Sequence, residues 1–172
     1  LSEACRRNQP LYEAALPGNV SLETSVPSSG PVIIASDSQV QQILMILITN
    51  AWEAMGTDGG SIHLSVKTVS PAEIPSIHHR RPIAWQPQES AYACIEVTDT
   101  GCGIEEKDFE NLFDPFFSSK FTGRGLGLPV ALGIVKAHNG VVTVESKPGE
   151  GSTFRVFLPV SAEEVAIKPD KS

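Results

Sequence analysis

At 172 residues the chain is long enough to bury a real core without disulfide staples, and it is most simply one domain. Hydrophobic residues make up 41% of it and charged residues 19%, the balance of an ordinary globular protein. The formal charge of −7 excludes a broad nucleic-acid surface, which needs a basic face to neutralise phosphates, but leaves room for a small anionic ligand held by local groups.

In chain order, Leu1 to Leu16 reads as the tail of a helix that ends at Pro17-Gly18-Asn19. Val20, Leu22, Thr24 and Val26 then alternate with polar neighbours, the period of a strand, and Pro31 to Ser36 is a short candidate for a buried strand. Ser36 or Asp37 can cap a helix from Gln39 to about Met55, which is apolar on several faces and so belongs inside the fold. Gly56 to Gly60 ends it, and Ser61 to Val69 reads as a strand. Pro71 to Ser90 holds four prolines and the run His78-His79-Arg80-Arg81, an exposed excursion between strands. The next strand is Ala91 to Asp99; Ile104 to Leu112 can form a short helix, and Asp114 to Gly127 a loop. Leu128 to His138 is helical with Gly140 just beyond it, and the stretches Val141–Ser146 and Ser152–Pro159 close as a hairpin. After Val160 the pattern fades into a tail.

Helices and strands mix without regular βαβ alternation. The fold expected is an α/β two-layer sandwich, a mixed, mostly antiparallel sheet packed on about three helices. Residues 1–18 read as an N-terminal segment, 19–160 as the domain and 161–172 as the tail. The longest apolar run, Ile43 to Ile48, is far too short to cross a bilayer, and no signal peptide opens the chain. Cys5, Cys94 and Cys102 match no common zinc spacing and read as free thiols in a reducing compartment. With no initial Met, the chain reads as a cytoplasmic piece of something longer.

Three stretches carry chemistry. Asp99 stands where a strand gives way to Thr100-Gly101-Cys102-Gly103; a carboxylate there can accept a hydrogen bond from the amine of a purine, and the two glycines admit a flat ring or a close backbone. On its own the same stretch reads equally as an aspartate-capped turn. Gly123, Gly125 and Gly127, with Leu126 between the last two, open directly into a helix, whose freed N–H groups form an anion site; Lys120 and Arg124 can add positive charge. Alone, this segment is also compatible with a flexible linker. Asn50, inside the apolar helix, offers a hard amide oxygen suited to Mg²⁺, with Glu53 one turn on, yet a backbone-satisfied asparagine explains it as well.

The order of these pieces is more telling than any one of them. Asn50-Ala51-Trp52-Glu53-Ala54-Met55, then Asp99 to Ile104, then Phe113 to Lys120, then Gly123 to Leu128, then Gly151 to Pro159 resemble the N, G1, F, G2 boxes and closing strand of the ATP-binding catalytic domain of sensor histidine kinases of two-component systems, over Pro31 to Pro159. That resemblance implies the Bergerat ATP-binding fold. It implies that Mg²⁺ on the ATP phosphates is held by Asn50, with Glu53 able to hold a metal-bound water. Asp99 would accept the adenine amine in a pocket shaped by Gly101 and Gly103, and Thr153 would lie near that pocket. Phe113 to Arg124 would form a lid, Gly123, Arg124, Gly125, Leu126 and Gly127 would cradle phosphates, and Lys120 would contact the γ-phosphate.

The chemistry implied is phosphoryl transfer to a histidine of a separate dimerisation domain, whose preceding helix would end in residues 1–18, and onward to a response regulator receiver domain. His63, His78, His79 and His138 sit in no phosphoacceptor motif, so the acceptor is expected upstream. Four residues before Asn50, where the family often has a second polar group, stands Ile46, which can neither ligate metal nor activate a nucleophile. Two alternatives stay open at this point: a nucleotide-binding signalling module with impaired catalysis, and a gyrase-type ATPase domain. A dinucleotide oxidoreductase is disfavoured for want of its glycine fingerprint and βαβ order.

Overall fold

A computed structural model describes residues 1–75, 79–80, 86–88, 90–115, 117 and 127–161, with backbone only at 79–80. Among the described residues, three helices, α1 (Ser2–Ala15), α2 (Asp37–Met55) and α3 (Gly127–Ala137), accompany six strands. These are β1 (Val20–Ser25), β2 (Gly60–Val69), the two-residue β3 (His79–Arg80), β4 (Tyr92–Asp99), β5 (Val141–Lys147) and β6 (Gly151–Pro159), in the sheet order β1-β2-β4-β6-β5-β3. Only β1 and β2 run parallel; every other pair is antiparallel. The α/β sandwich with a mixed, mostly antiparallel sheet is therefore the fold the sequence implies.

The helix layer exists because α2 is apolar round most of its girth. Val40, Ile43, Leu44, Leu47, Ile48, Ala51 and Met55 are all buried against Ile62, Leu64 and Val66 of β2, Ile95 and Val97 of β4, and Phe154, Val156 and Leu158 of β6. Each large aliphatic so buried contributes roughly 1.5–3 kcal/mol. Of the two possible caps, Ser36 is the one used: its side chain accepts from the Gln39 N–H at 3.2 Å and the Gln39 side chain returns the bond, a capping box. Asp37 is instead the partner of Arg7 from α1 at 2.7 Å.

The structure revises or sharpens four expectations. Pro31 to Ser36 is not a strand: Ile33 makes one bridge to Val160, Ile34 lies exposed, and the chain turns at once into α2. Ile104 to Leu112 holds one 3-10 turn, Glu106–Asp108, followed by successive turns. Bonds to the carbonyl three residues back, from the N–H groups of Asp108, Phe109, Asn111, Asp114 and Phe117, carry the chain on in turns, and Phe109, Leu112 and Phe113 all reach the core. Phe113, expected as the first residue of a lid, is thus a core residue. Gly140 stands just beyond α3 as expected, and the residue with positive φ there is Asn139. The bonds Asn139 N–H to Lys136 O and Gly140 N–H to Val135 O close a Schellman motif, and Gly140 is needed because a Cβ there would strike the Phe157 carbonyl.

Described residues of the proline-rich stretch reach the other face of the sheet. There Val69, Tyr92, Cys94, Val141 and Phe157 form a second, smaller core, closed by Ile74 from the start of the excursion. Further along, the Gln88 N–H bonds the Tyr92 hydroxyl at 2.9 Å, and β3 extends the sheet beyond β5.

Candidate nucleotide site

The site grows from the end of β4. Strand alternation sends Ile95, Val97 and Asp99 toward the helices and Cys94, Glu96 and Thr98 the other way. Asp99 is only 2% exposed, a carboxylate carried into the helix-side layer by the register of its strand. The Gly101 N–H donates to its Oδ1 at 2.8 Å, so the aspartate-capped turn is present and holds the carboxylate in place.

Glycine at 101 is required by close approach. A Cβ there would lie 2.7 Å from both the Cβ and the carbonyl oxygen of Ala54 on α2, to which the Cys102 N–H also donates, at 2.9 Å. Gly103 has φ +73 and sits against the Lys147 carbonyl, where any side chain would collide. The Asp99 to Ile104 loop is therefore clamped between α2 and the β5–β6 hairpin, with Gly149 N–H bonded to Cys102 O at 2.7 Å and Ile104 N–H to the Ser146 hydroxyl at 2.8 Å.

Ile46, Asn50 and Glu53 recur along α2 at helical spacing and are half-buried, lining the side of the helix turned away from its core-facing residues. The start of α3 comes to this side: a Cβ on Gly127 would stand 3.3 Å from Cγ2 of Ile46. Within α3, Pro129 falls in the first turn, where its missing N–H costs no helical bond, and no acidic side chain opposes an anion there. Lys120, Gly123, Arg124, Gly125 and Leu126 lie outside the described residues.

Thr153 is not on this side. Its hydroxyl pairs with that of Thr98 at 3.1 Å on the opposite face, beside the ladder Lys67, Glu96, Arg155 and Glu145. The residue in register with Asp99 is Ser152, and Ser146 is in register with Ser152 in turn. All three side chains share the helix face. Counting back by twos from the core residues Val156 and Phe154 reaches Ser152, and this alternation is the signal that could have found it. A cleft of about 590 Å³ opens beside the loop between Ile104, Phe109, Ser146 and Lys147.

Among the described residues, no group of three or more His, Cys, Asp or Glu could hold a metal ion, and no helix is long and apolar enough to cross a membrane. His63 pairs with Ser25 at 2.8 Å, and the His138 ring meets the Ile134 carbonyl at 2.7 Å at the end of α3.

A mixed sheet whose buried strand-end aspartate leads into a glycine loop pinned against a core helix defines a nucleotide-binding α/β domain. Residues 35–162 match the Histidine kinase-, DNA gyrase B-, and HSP90-like ATPase family, and the chain belongs to that family. Sensor kinase CckA of Brucella abortus (strain 2308) is 38% identical over 128 residues, 73% of this chain and 13% of CckA. The sensory histidine kinase/phosphatase NtrB of Klebsiella oxytoca is 30% identical over 160 residues, 93% of this chain and 43% of NtrB. The fold is that of the mycobacterial sensor histidine kinase MprB, with a TM-score of 0.66 and 20% identity over 92% of this chain and 93% of that one. Within its family the chain is an ATP-binding catalytic domain of the sensor-histidine-kinase type, and these relatives do not favour the gyrase-type or impaired-module alternatives. It spans less than half the length of CckA or NtrB.

Proposed function

We propose that this domain binds Mg²⁺–ATP and transfers the γ-phosphoryl group to a histidine on a dimerisation domain of the same full-length protein, from which a response regulator receiver domain takes it on. The observation that carries the reading is Asp99: a buried carboxylate, in register with Ser152, held by its own loop beside α2. Such a group selects an amine donor, the chemistry of the adenine edge. Asn50 fits a single hard oxygen ligand to Mg²⁺, and with no protein cage among the described residues, the remaining coordination would fall to phosphates and water. When bound, the ion would neutralise charge on the phosphates. Glu53, on the same side of α2, would hold one of its waters.

The protein's own part is positioning. Asp99, Gly101 and Gly103 would fix the base, while the first-turn N–H groups of α3, preceded by Gly123 to Leu126 with Arg124, would receive the phosphates; Lys120 would meet the γ-phosphate. Holding ATP and an incoming imidazole in line is the larger share of catalysis in such transfers. Residues 1–18 would continue from the helix of the dimerisation domain, and the assembly would work in the cytoplasm, membrane-anchored, if at all, through upstream segments.

The test is thermal unfolding with Mg²⁺ and a non-hydrolysable ATP analogue, against GTP and NAD analogues. Ligand at about 100 times its dissociation constant should add roughly 2.7 kcal/mol. Asp99→Asn, which replaces a pure acceptor by a partial donor, should remove the shift while the domain stays folded. A folded Asp99→Asn variant that keeps tight ATP binding, or equal stabilisation by the GTP analogue, would overturn the assignment.

A further inference from the structure

Ser146 lies on β5, outside every glycine or asparagine stretch that carries chemistry, yet its hydroxyl joins three parts of the site. It receives the Ile104 N–H at 2.8 Å, donates to the Gly151 carbonyl at 2.9 Å and meets the Ser152 hydroxyl at 2.8 Å. A hydroxyl has one proton and two lone pairs. The proton of Ser146 is committed to Gly151, and one lone pair to Ile104. The contact with Ser152 is then made by the proton of Ser152. Ser152 is thereby left, toward the face it shares with Asp99, with lone pairs only. It is also 95% buried, so water does not readily exchange this arrangement.

We propose that Ser146 is a positioning residue that sets the polarity of Ser152, so that the base end of the nucleotide site presents acceptors from both Asp99 and Ser152. This deepens the nucleotide-binding reading and rests on it. A wall of acceptors accommodates the exocyclic amine of adenine and repels the O6 carbonyl of guanine, because a buried acceptor facing an acceptor leaves both unpaired. The same hydroxyl also ties the far end of the loop at Ile104, where Gly103 admits only a bare backbone against Lys147. Loss of Ser146 would release the Ser152 proton to rotate toward the base and loosen the loop in one step.

The experiment measures dissociation constants of ATP and GTP analogues, with Mg²⁺, for wild type, Ser146→Ala, Ser146→Thr, Ser152→Ala and the double alanine variant, alongside melting temperatures. Ser146→Ala should weaken the ATP analogue about fivefold to tenfold, the loss of one hydrogen bond, and should weaken the GTP analogue less or strengthen it. Ser146→Thr, which keeps the hydroxyl, should restore the wild-type ratio. The double variant should discriminate no worse than Ser152→Ala alone, since the two act in series. An unchanged ratio of the two affinities in folded Ser146→Ala, whatever its melting temperature, overturns the proposal and leaves Ser146 a packing residue. If Ser146→Ala does not fold, wild-type discrimination in Ser152→Ala is the overturning result. Wild type that binds no adenine nucleotide would instead defeat the nucleotide-binding reading itself.

Discussion

Replacing Gly101 by alanine tests whether the loop is held by close approach to α2. The backbone torsions at Gly101 are not in the left-handed region, so no conformational penalty applies and the argument is steric alone. The new methyl would stand 2.7 Å from the Cβ and from the carbonyl oxygen of Ala54, and the second of these belongs to a helix backbone that cannot give way. The loop must retreat instead. It carries the Gly101 N–H bond to Asp99 at 2.8 Å and the Cys102 N–H bond to Ala54 at 2.9 Å, and a retreat of about half an ångström takes both toward the limit of useful geometry. Two weakened bonds at about 1 kcal/mol each and overpacking of about 1–3 kcal/mol are offset by about 0.4–1 kcal/mol from a stiffer unfolded chain. The net expectation is a loss of about 2–4 kcal/mol, read as a lower urea midpoint at unchanged m, together with at least tenfold weaker binding of an ATP analogue by calorimetry. Gly133 is the control. Nothing lies within 4 Å of a Cβ built there, so Gly133→Ala in the exposed face of α3 should stabilise the domain by up to about 1 kcal/mol and leave binding alone. Stability of Gly101→Ala within 0.5 kcal/mol of wild type, with undiminished affinity, would refute the steric account.

Two further outcomes concern groups the site does not use. Tyr12 is fully buried on α1 and its hydroxyl has no hydrogen-bond partner among the described residues, so Tyr12→Phe should be neutral or stabilising by about 1 kcal/mol in chemical denaturation; a loss above 1 kcal/mol would mean the hydroxyl is satisfied. Burial lifts the thiols of Cys5 and Cys94 from 9.0 to about 11, each chiefly by desolvation. Because the folded state keeps these protons while the unfolded state releases them, their contribution is complete below pH 9 and is lost as pH rises toward 11. Stability should fall by about 2–3 kcal/mol per thiol across that window, and Cys5→Ser/Cys94→Ser should flatten the slope. A wild-type slope no steeper than that of the double variant would remove the thiols as its cause.

The fold was largely legible because its signals are local. The alternation of Val20 to Ser25, the apolar girth of α2 and the glycine-bounded hairpin each name their element without reference to the rest of the chain. Pro31 to Ser36 misled because strand-like composition says nothing about whether a neighbouring edge is free, and here Ile33 makes an isolated bridge to Val160, just past the end of β6. The stretch after Gly103 misled for a related reason: Phe109, Leu112 and Phe113 suit a helical period, but the core they enter is reached by a chain of three-residue turns.

For the candidate site, the sequence places the residue types in order but says less about which face each one takes. Gly101 comes against α2 and Gly103 against the β5–β6 hairpin, so that the loop after Asp99 is held between them, whereas Thr153 lies on the opposite face of β6, since a period of two makes any single step a change of face. Ile46 shows the converse, a position whose meaning comes from a neighbour the sequence does not place beside it. Its methyl groups lie where the first residue of α3 arrives, so that a Cβ on Gly127 would stand 3.3 Å from Cγ2 of Ile46. A polar group at 46 would put a water-organising side chain next to the first turn of α3, the proposed phosphate end of the site. The isoleucine instead packs α3 onto α2 and keeps that corner apolar. If the domain hands a phosphoryl group to an imidazole as proposed, a corner that orders no water beside the γ-phosphate would disfavour the competing hydrolysis, and isoleucine at this position would favour transfer over ATPase chemistry.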